Sequence, residues 1–325
     1  MNLKDCAPFA SLTNSNLPAA ERTEFDTLFA EARADQAQSN FAGAAQKFAL
    51  AAHLDPQFPE LQFRWAECLQ ALTNLAGARQ HWQLACDDDA LPFRADSRIN
   101  AIIQQTGRQF AGDQLVVFDA AAVLAQALPD GVCGRETFFE HVHFNFDGEF
   151  ALGRAWAEQV AKLLPAGILL AARTHTWVSQ ETCDRDLGLT DWNRCAVTEH
   201  MLAFCSTPPL SDQSNNAERT QRLRDEVAHL RQQMNAATAQ AAVAVYQAAI
   251  NRAPQDFLLR ENFAEFLELA GDLKSAAAQW QAVGELIPHS CEPFYQAGRL
   301  LSLLDQMGCG ADGSAEGRHV APALG

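Results

Sequence analysis

The chain has 325 residues, enough for two domains of ordinary size, and 48% of them are hydrophobic. It carries 24 basic and 40 acidic residues, which gives a formal net charge of -16. This charge disfavours binding to nucleic acid or to an anionic membrane, because a polyanion would be repelled.

The sequence shows no membrane segment and no export signal. No apolar run approaches the ~20 residues of a membrane span, and residues 1–8 lack the apolar stretch of a signal peptide. We therefore expect a cytoplasmic protein, while a membrane-anchored or exported longer form stays open. Nine cysteines occur singly, without a C-x-x-C pair, so free thiols in a reducing compartment are expected rather than a disulfide framework.

An internal period of 34 residues marks both ends of the chain. Each copy has a small residue, then an aromatic residue four positions later, then a small residue three positions after that. The copies are Ala44-Phe48-Ala51, Ala78-Trp82-Ala85, Ala242-Tyr246-Ala249 and Ala276-Trp280-Val283. Four matches at one period predict stacked pairs of antiparallel helices, in which the aromatic residue fills the space between neighbouring pairs.

These helix pairs define the expected domains at the two ends. Two repeats are assigned to residues 25–90, and two and a half repeats to residues 223–304, where the last half repeat is a single helix. Residues 219–234 are predicted to form the first helix of the third repeat. Residues 305–325, which are rich in glycine, are expected to be a disordered tail.

The middle of the chain loses the 34-residue phase. A helix is expected at 94–105, and the apolar run 114–119 indicates a buried strand. A second helix is expected after Asn145, which suits the N-cap position. Residues 91–165 are therefore predicted to be a small, incomplete α/β segment, and residues 166–222 a helical linker.

One pair in this segment suggests chemistry. Glu140 precedes His143 by three residues, directly before the predicted helix. In serine hydrolases a carboxylate holds the tautomer of an imidazole and stabilises its charged form, while the imidazole takes the proton of the nucleophile. Glu140 and His143 are the predicted catalytic residues, and neither a cofactor nor a metal centre is expected.

The repeats resemble tetratricopeptide repeats, which implies a surface that binds a protein or peptide partner. The run that contains Glu140, His143, Asn145 and Gly148 resembles the last conserved block of the SGNH (GDSL-like) hydrolases, in which Asp is usual in place of Glu. Residues 2–9 and 91–100 resemble bacterial proteins in which such repeats are inserted into an SGNH-hydrolase-like domain. The resemblance implies a flavodoxin-like three-layer fold for the middle segment, with residues 1–24 as a remnant of the same domain.

The sequence departs from that family at the nucleophile. SGNH hydrolases carry the nucleophilic serine in a Gly-Asp-Ser block, which does not occur here, and a G-x-S-x-G elbow is also missing. An N-terminally incomplete chain, a pseudo-enzyme and a piece completed by another chain all fit, and truncation is favoured. The expected function is a protein-interaction scaffold that hydrolyses nothing by itself; the alternative is an ester or acyl hydrolase or an acyltransferase in a longer form.

Other interpretations of the same residues stay open. On a strand, His141 and His143 would place both imidazoles on one face as metal ligands. A third ligand would be Glu140 or His175. Alternatively, His143 is structural and caps the following helix, and Arg94 either binds an anionic substrate or, as we prefer, pairs with an acidic residue at the surface.

Overall fold

The computed structural model describes residues 3–110, 112, 115–165, 167–168 and 176–311, with side chains described to residue 306. Two compact units make up the chain: one holds residues 1–177 and 201–223, the other residues 178–200 and 224–325. The described residues are mainly helical and contain no strand. The mainly α prediction is confirmed.

Fourteen α-helices have described bounds, and a short 3-10 helix spans Leu210–Asp212. The first seven are α1 (Ala19–Ala37), α2 (Phe41–Leu54), α3 (Pro59–Ala71), α4 (Leu75–Asp87), α5 (Ser97–Gln109), α6 (Ala120–Gln126) and α7 (Phe146–Leu163). The others are α8 (Gln180–Asp186), α9 (Asp191–Cys205), α10 (Asn216–Gln233), α11 (Ala236–Arg252), α12 (Phe257–Leu269), α13 (Leu273–Leu286) and α14 (Glu292–Ala311). None of the described helices is both long enough and apolar enough to cross a bilayer.

The 34-residue period corresponds to helices that pack in sequence. Helix α1 packs on α2, α2 on α3 and α3 on α4, while α12 packs on α13 and α13 on α14. All twelve positions of the repeat template are buried, as expected for residues at helix crossings.

The backbone between the helices repeats with the same period. Ser39 and Thr73 are 34 residues apart, and both adopt a left-handed conformation, with φ of 61° and 62°. The next residue in each copy, Asn40 or Asn74, caps the second helix of the pair through its side chain. The same turn, cap and crossing residues therefore recur in successive helix pairs.

The strand predicted at 114–119 does not form in the described part of that run. Residues 116–119 have no regular structure, and the contact of Leu115 with Gly112 is an isolated bridge. Val116 is 46% exposed. Strand backbone groups need a partner strand for their hydrogen bonds, and the described residues provide none here, so the apolar run alone was an insufficient signal.

The α/β layering predicted for 91–165 is therefore absent from its described residues, which contain α5, α6 and α7. The helix expected at 94–105 forms as α5, but it begins at Ser97 because Asp96 caps it. The Asp96 side chain accepts a hydrogen bond from the Ile99 N–H at 2.6 Å.

Helix α10 forms where residues 219–234 predicted a helix, but it does not lie wholly in the third repeat. Its first residues belong to the first unit, where Leu223 packs with Met201 and Leu210. In the other unit, α11 contacts α8 and α12. Residues 178–200, which were expected in the 166–222 linker, thus belong to the unit that carries the later repeats.

Both expected end regions need correction. Helix α14 continues to Ala311, so residues 305–311 are helical rather than a disordered tail, and residues 312–325 lie outside the described range. Each glycine inside a helix costs only about 1 kcal/mol, so Gly308 and Gly310 together do not end the helix. At the other end, α1 begins at Ala19, so residues 19–24 belong to the repeat and not to the remnant.

The N-terminal segment before α1 packs in the same unit as the middle segment. The Leu3 N–H donates to the Cys133 carbonyl at 3.1 Å, and Lys4 forms a salt bridge with Asp130. Cys6 is buried, and eight described cysteines, including Cys6, are free thiols. The expectation of free thiols is confirmed for these eight residues.

Candidate functional site

The predicted acid and histidine lie on the loop that connects α6 and α7. Phe138 and Phe144 bracket this loop through an isolated bridge and stack with their ring centroids 4.4 Å apart. Phe138 also packs with Leu124 of α6, and Leu152 of α7 lies against the same cluster. The two helices and the stacked rings therefore fix both ends of the loop.

The start of α7 closes against the same loop. Asn145 is the N-cap, as predicted, and its side-chain oxygen accepts from the Gly148 N–H at 2.8 Å. The Asn145 amide also donates to the Arg135 carbonyl at 2.8 Å. A Cβ added at Gly148 would overlap the Thr137 carbonyl oxygen, so glycine is required for this close approach.

Glu140 is the centre of the site and is completely buried. Its Oε1 accepts from the backbone N–H of His143 at 2.8 Å and of Val142 at 3.3 Å, and its Oε2 accepts from the backbone N–H of His141. Burial by itself raises the pKa of Glu140, but the hydrogen bonds from His141 and His143 outweigh it and hold the pKa at about 2. The carboxylate is therefore ionised at neutral pH.

His143 has the geometry of a histidine oriented by a carboxylate. Its Nδ1 lies in hydrogen-bonding contact with Oε1 of Glu140, and its side chain is 53% exposed. The Phe204 ring packs edge-on against the imidazole, with 5.6 Å between centroids. A proton on Nδ1 leaves Nε2 as the acceptor, which is the arrangement of an orienting acid and a general base. Asn145, not His143, caps α7, so the capping interpretation of His143 is wrong.

His141 also contacts Glu140, but its burial and its neighbours differ from those of His143. It is fully buried, its ring stacks on Phe9 at 4.2 Å, and its Nδ1 lies 3.3 Å from Oε2 of Glu140. Burial lowers the pKa of His141 to about 4. The two rings therefore contact different oxygens of the same carboxylate, and one ring is buried while the other is half exposed.

This arrangement does not match the metal-site interpretation. The H-x-H run lies on a loop instead of a strand, one imidazole is buried and the other is exposed. No group of three His, Cys, Asp or Glu is placed to hold a metal ion in the part of the chain that the structure describes. His175, named as a third ligand, lies outside the described residues.

Sequence reasoning missed the residues that hold His141. Gln213 and Arg219 are buried beside it, and the Gln213 side-chain nitrogen lies 2.8 Å from Nε2 of His141. They lie over seventy residues further along the chain and form no recognisable motif, so only the fold reveals them. Arg94 is likewise buried, with its guanidinium 4.0 Å from Asp89, and is not the surface residue that was expected.

Neither Ser97 nor Ser206 supplies a nucleophile for His143. The Ser97 hydroxyl donates to Asp87, and the Ser206 hydroxyl donates to the Leu202 carbonyl. Burial raises the pKa of the Cys6 thiol to about 12, which keeps it protonated and unreactive. Glu140 and His143 thus have the geometry of an acid–base pair, while these serines and Cys6 are engaged or buried elsewhere.

The site can accept a proton at an exposed imidazole nitrogen and can stabilise the resulting cation with a buried carboxylate. Helices α1 to α4 lie in the same unit as the site, but they supply neither of these two groups. No protein-family model matches the chain, and a search of curated proteins finds no match either.

Proposed function

We propose that this chain is a tetratricopeptide-type scaffold that also carries the acid–histidine end of an SGNH-type hydrolase or acyltransferase. The observation that carries the proposal is the contact between the buried Glu140 carboxylate and Nδ1 of the half-exposed His143. An ionised carboxylate in this position selects the tautomer that a general base needs.

The scaffold half of the proposal is supported by the helix pairs. Their 34-residue period, the buried small and aromatic residues and the repeated Asn caps are all typical of stacked helical repeats. Such stacks present an extended surface to a protein or peptide. The net charge of -16 favours a partner other than nucleic acid.

The hydrolase half is supported by how the first unit is assembled. Residues 3–10 precede the first repeat, yet they contact the loop that bears Glu140: the Asp5 carboxylate accepts from the Arg135 N–H, and Phe9 stacks on His141. This packing is expected if the repeats interrupt one domain whose pieces lie on both sides of them.

In the proposed reaction, His143 takes the proton of an attacking hydroxyl at Nε2, and Glu140 stays ionised and stabilises the imidazolium. The proton then passes from Nε2 to the leaving group. The hydroxyl belongs to a serine that the described residues do not place at the site, so the chain as given is inactive. A polypeptide segment that carries a Gly-Asp-Ser block would complete the arrangement.

Two experiments test the two halves. The genomic DNA upstream of Met1 tests the hydrolase half. An in-frame Gly-Asp-Ser block there supports an enzyme, and stop codons directly upstream contradict it for this protein. For the scaffold, affinity capture with the purified chain should yield a partner that binds again in a purified two-component assay. Arg64 lies in α3 and its guanidinium donates to Gln36 of α1, so Arg64→Glu should weaken that binding if this part of the repeat surface is used. Capture of no partner above background counts against the scaffold.

A further inference from the structure

Glu140 is held on two sides, and only one of them is His143. Its Oε1 is in hydrogen-bonding contact with Nδ1 of His143, while its Oε2 lies 3.3 Å from Nδ1 of the buried His141. Backbone N–H groups already engage both oxygens: those of His143 and Val142 donate to Oε1, and that of His141 donates to Oε2. The His141 ring is the side-chain contact on the Oε2 side, and it adds to what the backbone does in holding Oε1 towards His143.

The tautomer of His141 is set by Gln213. The side-chain nitrogen of Gln213 lies 2.8 Å from Nε2 of His141 and also donates to the Ala7 carbonyl. A carbonyl can only accept, so the Gln213 atom beside it must be the NH2 group. An NH2 group can only donate, so Nε2 of His141 must accept and Nδ1 must carry the proton.

The orientation of Gln213 is fixed independently at its other end. The Arg219 guanidinium donates to Oε1 of Gln213 at 2.9 Å and to the Asn216 side-chain oxygen at 3.3 Å. A guanidinium has no acceptor, so the atom it touches must be the Gln213 oxygen. Both ends of the amide thus agree on one orientation, and Gln213, Arg219 and His141 are all at least nine-tenths buried.

The competing tautomer fits the polar neighbours of the ring less well. With the proton on Nε2, His141 could donate only to the Ala7 carbonyl at 3.4 Å, and that proton would meet the Gln213 NH2 group. Its bare Nδ1 would face the Glu140 carboxylate. The doubly protonated ring is disfavoured by burial and by the nearby Arg94 and Arg219, while Glu140 alone favours it and the adjacent Phe9 and Phe93 rings carry no charge.

We propose that His141 is a positioning residue for the Glu140–His143 pair, with its protonated Nδ1 3.3 Å from the Glu140 carboxylate and its tautomer fixed by Gln213 and Arg219. The inference rests on the proposed function for its purpose, but its geometry can be tested without turnover. The proposal extends the site from Glu140 and His143, which share one loop, to five residues. Gln213 precedes α10, and Arg219 lies in its first turn. Loss of this support should disturb the contact between His143 Nδ1 and Glu140 before it unfolds the unit.

The test is nitrogen NMR on the whole chain with ¹⁵N-labelled histidine, at pH 7. In the wild type, His141 should carry its proton on Nδ1 and leave Nε2 bare. A proton on Nε2, or an imidazolium, would overturn the proposal directly, and this measurement needs no variant. Gln213→Leu should move a measurable fraction of His141 to the Nε2–H tautomer. Gln233→Leu is the matched control, because Gln233 makes a 2.8 Å contact with Nε2 of His229 at an exposed site.

The positioning role is read at His143. His141→Leu should shift or broaden the His143 Nδ1 proton signal, whereas His141→Asn, whose amide can donate near the position of Nδ1, should restore it. An unchanged His143 signal in His141→Leu would show that His141 is only structural. These spectra do not depend on hydrolysis, so a longer protein without activity would overturn the proposed function while leaving this inference standing.

Discussion

Glu140 and His143 share a hydrogen bond, yet the carboxylate is fully buried while the imidazole is 53% exposed. Backbone N–H groups of the same loop hold the carboxylate, so its position does not depend on the imidazole. The His143 imidazole consequently faces outward from a Glu140 carboxylate that the backbone holds in place. This asymmetry is what a reaction partner approaching from outside the described residues would require.

Glu140→Gln should destabilise the first unit although the side chain keeps its shape. One carboxylate oxygen becomes an NH2 group that must face a buried N–H donor, and each buried donor left without an acceptor costs about 1–3 kcal/mol. Hydrogen exchange of residues 137–148 should accelerate, while that of α12 and α13 stays unchanged. Glu24→Gln, at an exposed position of α1, should change the free energy of unfolding by no more than about 0.5 kcal/mol. Equal effects of the two changes would contradict the described loop.

Gly148→Ala should loosen the contact between α7 and the site loop. The added methyl group overlaps the Thr137 carbonyl oxygen, and overpacking of this kind costs about 1–3 kcal/mol. Gly153→Ala lies in the same helix with nothing within 4 Å of the new Cβ, so it should be neutral or stabilising by up to about 1 kcal/mol. Urea denaturation of both variants measures the difference, and a Gly148→Ala protein as stable as Gly153→Ala would exclude the close approach.

The repeat template predicts opposite outcomes for two residues in helix α2. Phe48 is fully buried, so Phe48→Ala should lower the free energy of unfolding by about 3–5 kcal/mol. Leu50, two residues later, is 53% exposed, and Leu50→Ala should cost far less, within about 1 kcal/mol. Thermal denaturation of the two proteins provides the measurement. A reversed order would place the wrong face of α2 in the core.

Stability should fall in mild acid because of His141. Its pKa is about 4 in the folded chain against an ordinary value of 6.5, so the unfolded chain binds more protons between these values. The contribution is fully present above pH 6.5 and is lost towards pH 4, with a size on the order of 3 kcal/mol. Burial also lowers the pKa of His81 to about 4, so His81 makes the free energy of unfolding fall in mild acid as well.

Glu67 acts in the opposite direction. Burial raises its pKa to about 7, so its contribution is lost as the pH rises from 4.5 to 7. The wild type must therefore be compared with His141→Asn, which removes the His141 contribution while those of His81 and Glu67 remain. The free energy of unfolding of this variant should depend less steeply on pH between 6.5 and 4. Parallel curves for the two proteins would show that His141 is not held in its neutral form.

The repeats were predictable because their contacts recur along the sequence. A residue such as Phe48 or Trp280 fills the same space in every copy, so the period alone identified the buried positions. The N-cap role of Asn145 was also predictable, since an N-cap interaction involves residues only three positions apart.

The run 114–119 shows the limit of local pattern. Val116 and Val117 have the composition of a buried strand, but a strand exists only where another strand pairs with it, and that information is not local. The residues that hold His141 could not be predicted from the sequence for the same reason. Glu140 and His143 are neighbours in sequence, whereas Gln213 reaches His141 only through the tertiary fold.

In our proposal, Glu140 and His143 are the acid and base of a hydrolase whose nucleophile lies on another polypeptide segment. The most direct measurement is the hydrolysis of p-nitrophenyl acetate by this chain and by a longer form that includes an upstream Gly-Asp-Ser block, each with and without His143→Ala. The chain alone should show no turnover that depends on His143, and the longer form should lose its turnover when His143 is replaced. Turnover of the longer form that His143→Ala leaves unchanged would contradict the account.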